Sequence, residues 1–390
     1  MGGEVPAKVV SASAAVIGAL AFVLMGGVQA LYGPSLPGFS QQFSLPVSTA
    51  GLVVSAHGLG ALTGVLSTVL LSGYPLARYR TGVAVTLLAA GALLLGSTSV
   101  WPVALLGALI VGLGYGVLTV GLNSLFAVGF GQRSAAMVNL LNAVFGIGAI
   151  LGPLLVGGDG GNVNWPFLVI ALGGGLLAPF AFSIDDRLPV PTVTQAGSEH
   201  QSKGLVVGFL VLLALVVGLE ASSSGWNATY LVALGQTPAS AASFASLFYL
   251  VFTAARLVAV PLSLRLSAFT LVAASLALGA VLLFLAQISA LAPYVLASLG
   301  GAVALLFPNT FTWLARTVPG ARGGTALMIA GGLLGGALFP ALIGQAVAVF
   351  GERILPHAML LLTVLALILA VWLRRQSRRL KIYSQGRAHL

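Results

Sequence analysis

The chain has 390 residues, of which 58% are hydrophobic and only 6% are charged, and its formal net charge is +10. Soluble domains carry about a quarter charged residues, so this composition excludes a water-soluble fold and predicts that most of the chain faces lipid. The chain has no cysteine, and its four histidines lack the spacing of metal ligands. We therefore expect no disulfide, no metal centre and no cofactor.

Apolar runs long enough to cross a bilayer recur along the whole chain, since a hydrocarbon core of about 30 Å needs roughly 20 apolar residues per helix. The first run lacks a signal-peptide cleavage site and is followed at once by others, so we expect it to be retained. Cutting at proline, glycine and charge clusters predicts twelve membrane spans: 9–32, 48–72, 82–99, 102–127, 135–157, 165–183, 205–233, 240–265, 268–288, 291–314, 322–347 and 355–373.

The basic residues fix the expected orientation. With a cytoplasmic N-terminus, nearly all Lys and Arg of the connections fall on the cytoplasmic side, and the opposite side holds only Arg353. Six basic residues follow the last span, which indicates a tail attracted to anionic headgroups and not a nucleic-acid site. We expect both termini in the cytoplasm and the chain in a bacterial-type inner (plasma) membrane.

The two halves of the chain resemble each other in register. Gly148–Gly157 lies over Gly335–Gly344, Gly114–Asn123 over Gly300–Asn309, and Gln29 over Glu220, at offsets of 186 to 191 residues. This predicts two parallel six-helix repeats, the arrangement of a rocking transporter. The expected organisation is an N-terminal bundle at 1–183, a cytoplasmic linker at 184–204, a C-terminal bundle at 205–374 and a basic tail at 375–390.

Nearly the whole chain resembles the major facilitator superfamily, whose members have twelve transmembrane helices. The family's loop motif after the second helix is kept in part by Gly73 and Arg78, but Ala77 replaces its aspartate. The run Asn142–Ala149 before Gly152-Pro153, and Glu220 followed by Trp226 and Tyr230, are similar to the fucose–proton symporter and sodium–glucose transporter-like branch. The first-helix carboxylate of fucose symporters has no counterpart here.

One carboxylate is a candidate for ion coupling. Glu220 alone among the seven acidic residues lies well inside a predicted helix. A carboxylate in a low-dielectric cavity binds a proton more tightly than one in water, so Glu220 is the predicted coupling residue. Arg256, with Tyr249 on its helix face, would pair with Glu220, hold an anionic substrate, line an inner gate or snorkel to the cytoplasmic interface. His57 is a candidate proton relay or a packing residue.

Amides and indoles inside the predicted spans are the candidate substrate ligands. Amide groups both donate and accept hydrogen bonds, which suits sugar hydroxyls, and an indole suits the apolar face of a pyranose. Hydrogen bonding between helices is the alternative role for each of them. The candidates are Gln29, Asn123, Asn139, Asn142, Trp226, Asn227, Asn309 and Trp313.

These features predict a monomeric secondary transporter that takes up a sugar or similar polar solute with a coupling cation, H⁺ before Na⁺. The alternative is proton-driven efflux of lipophilic compounds, because Gly148-x-x-x-Gly152-Pro153 is similar to the antiporter motif of drug exporters, although their fourth-helix arginine is missing.

An enzyme would need a second acid or a nucleophile–base pair in the membrane, and ATP drive would need a P-loop. A receptor would need a large extramembranous segment. One carboxylate and one histidine inside the spans are a thin basis for an enzyme, no P-loop motif occurs, and the longest polar stretch is the linker at 184–203.

Overall fold

The computed structural model describes residues 10–71, 78–158, 163–184, 203–317 and 325–387. Regular structure within these ranges is entirely helical, without a β-strand. The α-helices are α1 Ala12–Gln42, α2 Val47–Ala50, α3 Leu52–Leu70, α4 Arg80–Ser97, α5 Trp101–Gly129, α6 Ser134–Gly158, α7 Asn164–Ala181, α8 Lys203–Ala233, α9 Pro238–Ser263, α10 Ala268–Leu285, α11 Ala292–Ala304, α12 Leu306–Thr317, α13 Thr325–Phe350 and α14 Leu355–Arg387.

Twelve stretches in these ranges are long and apolar enough to cross a membrane, which confirms the predicted number of spans. Each forms a helix because only a helix pairs all of its backbone N–H and C=O groups without water. Most of the predicted linker and the motif residues Gly73 and Ala77 lie outside the described residues. Those predictions therefore stay predictions.

The first helix is longer than expected. The prediction ended it at residue 32 because Pro34 and Pro37 follow, but α1 continues through both prolines to Gln42. Each proline removes one backbone hydrogen bond, and such losses are tolerated in membrane helices where neighbouring helices support the segment. Leu36 and Phe39 are fully buried beside these prolines, so packing holds this part of α1 in helical form.

The tenth span is broken, which the sequence did not predict. Its first part, α11, ends at Ala304, and α12 begins at Leu306 with Pro308 in its first turn. Proline is accepted there because the first N–H groups of a helix have no intrahelical partner. The break lies just before Asn309, one of the candidate substrate ligands.

The chain divides into two compact units. The first comprises Met1–Thr192 with Thr237–Ser246, and the second comprises Val193–Gln236 with Leu247–Leu390. In the first unit α1 packs on α6, and α5 packs on both α3 and α4. In the second unit α8 packs on α13 and α14, and α10 packs on α11, α12 and α14.

Glycines set the closest helix contacts in the first unit. A Cβ on Gly148 of α6 would overlap the Val23 carbonyl of α1, and a Cβ on Gly26 would overlap the Phe145 carbonyl of α6. Small residues let membrane helices approach to backbone contact. The Gly148-x-x-x-Gly152 pattern therefore has a packing role between α1 and α6, whatever the direction of transport.

Equivalent contacts occur in the second unit. A Cβ on Gly335 of α13 would overlap the Ala214 carbonyl of α8, and a Cβ on Gly300 of α11 would overlap the Phe248 carbonyl of α9. Gly335 is the residue that the sequence comparison places over Gly148. The aligned glycines thus perform the same structural task in both units.

Candidate functional site

A charged cluster lies between α8 and α9 in the second unit. Arg256 interacts electrostatically with the Glu220 carboxylate, but no hydrogen bond or ion pair joins the two among the described residues. The Arg256 guanidinium carbon lies 4.3 Å from the ring centroid of Phe252, one turn earlier in α9. Its Nε is buried without a partner. The cluster therefore holds a carboxyl group and a guanidinium that are not paired to each other and that a ligand can contact.

Tyr249 belongs to the same cluster. Its hydroxyl lies close enough to Ser224 and Glu220 to interact with both, yet it is buried and makes no hydrogen bond of good geometry. Ser224 donates its own proton to the Ala221 carbonyl at 3.1 Å. A free phenol hydroxyl beside a carboxylate can donate to that carboxylate or to a bound solute.

The remainder of α8 is anchored to its neighbours by side chains. Trp226 is fully buried, and its indole nitrogen donates to the Pro340 carbonyl of α13 at 3.1 Å. The Tyr230 hydroxyl donates to the Ala286 carbonyl, just after α10, at 3.0 Å. Trp226 therefore has a structural role within the second unit, and its single donor is already used.

This placement gives a testable expectation for Trp226. Replacing Trp226 with phenylalanine removes the indole donor and keeps an aromatic ring, so substrate affinity should stay within about twofold while stability falls by about 0.6–1.5 kcal/mol. Thermal unfolding of the purified protein and ligand titration measure the two quantities. A large loss of affinity at unchanged stability would return Trp226 to the substrate site.

Asn227 is a substrate candidate whose amide group is buried and wholly unsatisfied among the described residues. Both its Oδ1 and its Nδ2 are buried without a hydrogen-bond partner. Buried polar groups in proteins are normally paired, so an orphaned amide indicates water or a ligand that binds there. Asn227 follows Glu220 by seven residues, which places both on the same face of α8.

His57 lies in an aromatic cluster of the first unit. Its ring centroid is 5.0 Å from that of Tyr32 in α1 and 5.1 Å from that of Tyr115 in α5. Tyr32 is in turn 5.7 Å from Phe167 of α7. The Tyr32 hydroxyl and the His57 Nδ1 are buried without partners. His57 thus contacts aromatic rings of two other helices, α1 and α5, and the two orphaned polar atoms remain available to a water molecule.

The other amide candidates are partly satisfied within their own helices. The side-chain nitrogens of Asn123, Asn142 and Asn309 each donate to the carbonyl four residues earlier, at 2.7, 2.9 and 2.7 Å. Each keeps a side-chain oxygen as a free acceptor. Gln29 is half-buried and Asn139 is exposed.

Trp313 is buried in an aromatic group of the second unit. Its ring lies 4.8 Å from Phe209 of α8 and 5.2 Å from Phe269 of α10. These edge-to-face contacts pack the Trp313 ring against α8 and α10. The sequence prediction gave Trp313 a sugar-stacking role because it follows Asn309 by one turn, but that spacing does not show which side of the helix faces the other helices.

Two residues of the clusters did not figure in the sequence prediction. Phe252 holds the Arg256 guanidinium, and its position four residues before an arginine on one helix was the available signal. Tyr115 contacts His57 from another helix. No sequence signal joins these two, because they are 58 residues apart and meet only through helix packing.

The sequence and the structure of the chain were compared with those of known proteins. The family model of the Major Facilitator Superfamily matches residues 18–219. A search among curated proteins gives no match. Among solved structures, the D-xylose–proton symporter is similar over 92% of this chain and 96% of its own, with a TM-score of 0.76 and 14% identity.

Two further solved structures are similar over nearly their full length. The nucleoside transporter NupG covers 93% of this chain and 98% of its own, with a TM-score of 0.69 and 14% identity. The E. coli fucose:proton symporter FucP covers 92% and 98%, with a TM-score of 0.61 and 16% identity. Such low identities show a common fold alone, which agrees with the predicted resemblance to this superfamily. Because the family match spans more than half of the 390 residues and twelve apolar helices accompany it, the chain belongs to the Major Facilitator Superfamily of membrane transporters.

Proposed function

We propose that this transporter takes up a sugar or similar small polar solute together with a cation, by alternating access, and that the cation is a proton bound by Glu220. The proposal rests on one observation. Glu220 is the only acidic residue inside an α-helix of the described ranges, and it lies beside Arg256 without an ion pair. An unpaired carboxylate at membrane depth is a functional group by default, because its charge is costly there.

Protonation offers Glu220 a way to become neutral in the membrane. A buried charge without a partner costs several kcal/mol, and a bound proton removes that cost. Arg256 opposes protonation by stabilising the carboxylate, so movement of Arg256 relative to Glu220 would change how tightly the proton is held. Such a change in proton affinity during the conformational cycle is what coupling requires.

The surroundings of Glu220 favour H⁺ over Na⁺ as the coupling ion. A sodium ion needs several oxygen ligands, whereas a single carboxylate is sufficient for a proton. No cluster of three or more acidic, histidine or cysteine side chains occurs within the described residues.

The proposed substrate class is based on the free amide groups. Asn227 offers a donor and an acceptor, and Asn123, Asn142 and Asn309 each offer an acceptor. Sugar hydroxyls donate and accept in this way. The solved structures of similar fold include transporters named for xylose and fucose, which supports a sugar as the first class to test.

A thermal-shift screen of the purified protein tests substrate and ion together. Sugars, nucleosides and lipophilic cations are each added with and without Na⁺ and at two pH values. A ligand at a hundredfold excess over its Kd stabilises a protein by about 2.7 kcal/mol. Stabilisation by one sugar that changes with pH but not with Na⁺ is the expected result. Stabilisation by lipophilic compounds alone would support the efflux alternative instead.

The amide ligands make a separate prediction. Replacing Asn142 or Asn309 with alanine should weaken binding of the sugar found in the screen by about tenfold, since a lost hydrogen bond costs about 1.4 kcal/mol. Isothermal titration measures the affinity. Replacing Ser298 with alanine is the matched control, because its hydroxyl makes the same kind of bond to its own helix, at 2.9 Å to the Tyr294 carbonyl. Unchanged affinity in both asparagine variants would refute the proposed role of these amides in substrate binding.

A further inference from the structure

Three arginines lie at the end of the last membrane span. The span runs from Glu352 to Arg378, and Arg374, Arg375 and Arg378 form its final turns. Arg375 and Arg378 are exposed and Arg374 is half-buried. None of the three has a hydrogen bond or ion pair to any described residue. We call them the α14 arginine cluster.

Arg374 is held in a fixed position. Its guanidinium carbon lies 5.0 Å from the ring centroid of Phe269 at the start of α10, and its Nε is buried without a partner. Phe269 packs on Trp313, which packs on Phe209. An arginine supported by such a group of edge-to-face aromatic rings loses little conformational entropy on binding an anion.

The protein supplies no nearby anion along α14. The sequence from residue 353 to the C-terminus contains no Asp or Glu. Glu352 precedes Arg374 by 22 residues, which is about 33 Å along a helix at 1.5 Å per residue. An anion that pairs with the cluster must therefore come from outside α14.

The position of the α14 arginine cluster relative to the membrane indicates the chemical class of the anion that it binds. On the membrane side of the arginines, Trp372 is 43% exposed and Ile368 is 61% exposed, so this face of α14 contacts acyl chains. Trp marks the interface between acyl chains and headgroups. A phosphate group is at that depth, and a guanidinium binds phosphate through two parallel hydrogen bonds.

We propose that the α14 arginine cluster is a binding site for the phosphate of an anionic phospholipid, with Arg374 as the fixed ligand and Arg375 and Arg378 as the outer ligands. The site is independent of the transport chemistry proposed above. It makes the stability of the second unit depend on membrane composition, because the lipid would neutralise the charge beside α10.

Native mass spectrometry of the full chain tests the site. The protein is purified from vesicles containing equal amounts of phosphatidylglycerol and phosphatidylcholine, and the retained lipids are counted. Retention of at least one phosphatidylglycerol is expected, and R374Q should lower it by about tenfold. R374K should lower it nearly as much, because lysine keeps the charge but lacks the paired donors and the ring contact.

Charge-matched controls separate a site from general attraction. The triple variant R379Q/K381Q/R387Q removes three positive charges farther along α14 and should retain the lipid. Equal losses in that variant and in R374Q, or full retention in R374K, would overturn the proposal. Stabilisation by inorganic phosphate in neutral detergent to the same extent as by phosphatidylglycerol would also overturn the lipid assignment. Lipid binding that appears only in the D185N/D186N variant would overturn the proposal as well. In that case Asp185 and Asp186 of the predicted linker, and not a lipid phosphate, would be the partners of the α14 arginine cluster in the wild type.

Discussion

Replacing Glu220 with glutamine is expected to abolish proton-driven accumulation of the substrate. The amide keeps the size of the side chain and one acceptor oxygen, and its NH₂ group replaces the other oxygen by a donor, but it cannot take up or release a proton. Uptake into proteoliposomes with an imposed pH gradient should fall to background. Exchange of internal for external substrate needs no net proton movement, so its rate should stay within about threefold of the wild type.

The contrast between the two assays decides the role of Glu220. Equal loss of accumulation and exchange would place the carboxylate in substrate binding or in folding instead of coupling. Glu352→Gln is the matched control, because Glu352 is the other acidic residue of the described ranges and lies in a short turn before α14. Accumulation by the Glu352 variant should equal that of the wild type.

Replacing Gly148 with alanine is expected to destabilise the first unit severely. The new Cβ would overlap the Val23 carbonyl, which belongs to the backbone of α1 and cannot move without displacing that helix. Overpacking of this kind costs about 1–3 kcal/mol, and a backbone neighbour places the cost at the upper end. Thermal unfolding in detergent, followed by the loss of monodisperse protein, measures the effect.

Gly175→Ala is the control for the loss of a glycine itself. A Cβ on Gly175 of α7 meets no atom within 4 Å, so alanine should be neutral or slightly stabilising there. Similar destabilisation by both substitutions would show that backbone freedom, and not helix approach, is what Gly148 provides. Such a result would also remove the packing explanation for the Gly148-x-x-x-Gly152-Pro153 motif, and its interpretation as an antiporter signature would have to be tested again.

The membrane fold was predictable from the sequence because it depends on composition over long windows. A run of some 20 apolar residues has one stable conformation in a bilayer, so the twelve spans followed without knowledge of their packing. Helix ends were less predictable. Pro34 and Pro37 predicted the end of α1, yet burial of the adjacent Leu36 and Phe39 keeps the helix intact. That stabilisation comes from other helices and leaves no local signal.

The candidate site was also predictable from the sequence only in part. Glu220 was identifiable because a charged group inside an apolar run is conspicuous in any sequence. Its neighbours were not, because contacts between α8 and α9 depend on how each helix is rotated about its axis. Trp226 and Trp313 are examples: both stay predicted substrate ligands, and only the structure shows that each is buried against other helices of its own unit.

By itself, the sequence determined that this chain spans a membrane twelve times, that its halves are repeats and that one carboxylate is embedded among apolar residues. These properties follow from hydrophobicity and spacing, which act along the chain. Only the tertiary structure decided that Arg256 rests on Phe252 without pairing to Glu220, that the amide of Asn227 is unsatisfied and that Gly148 is in backbone contact with α1. Those properties depend on distances between residues far apart in sequence, which helix packing alone sets.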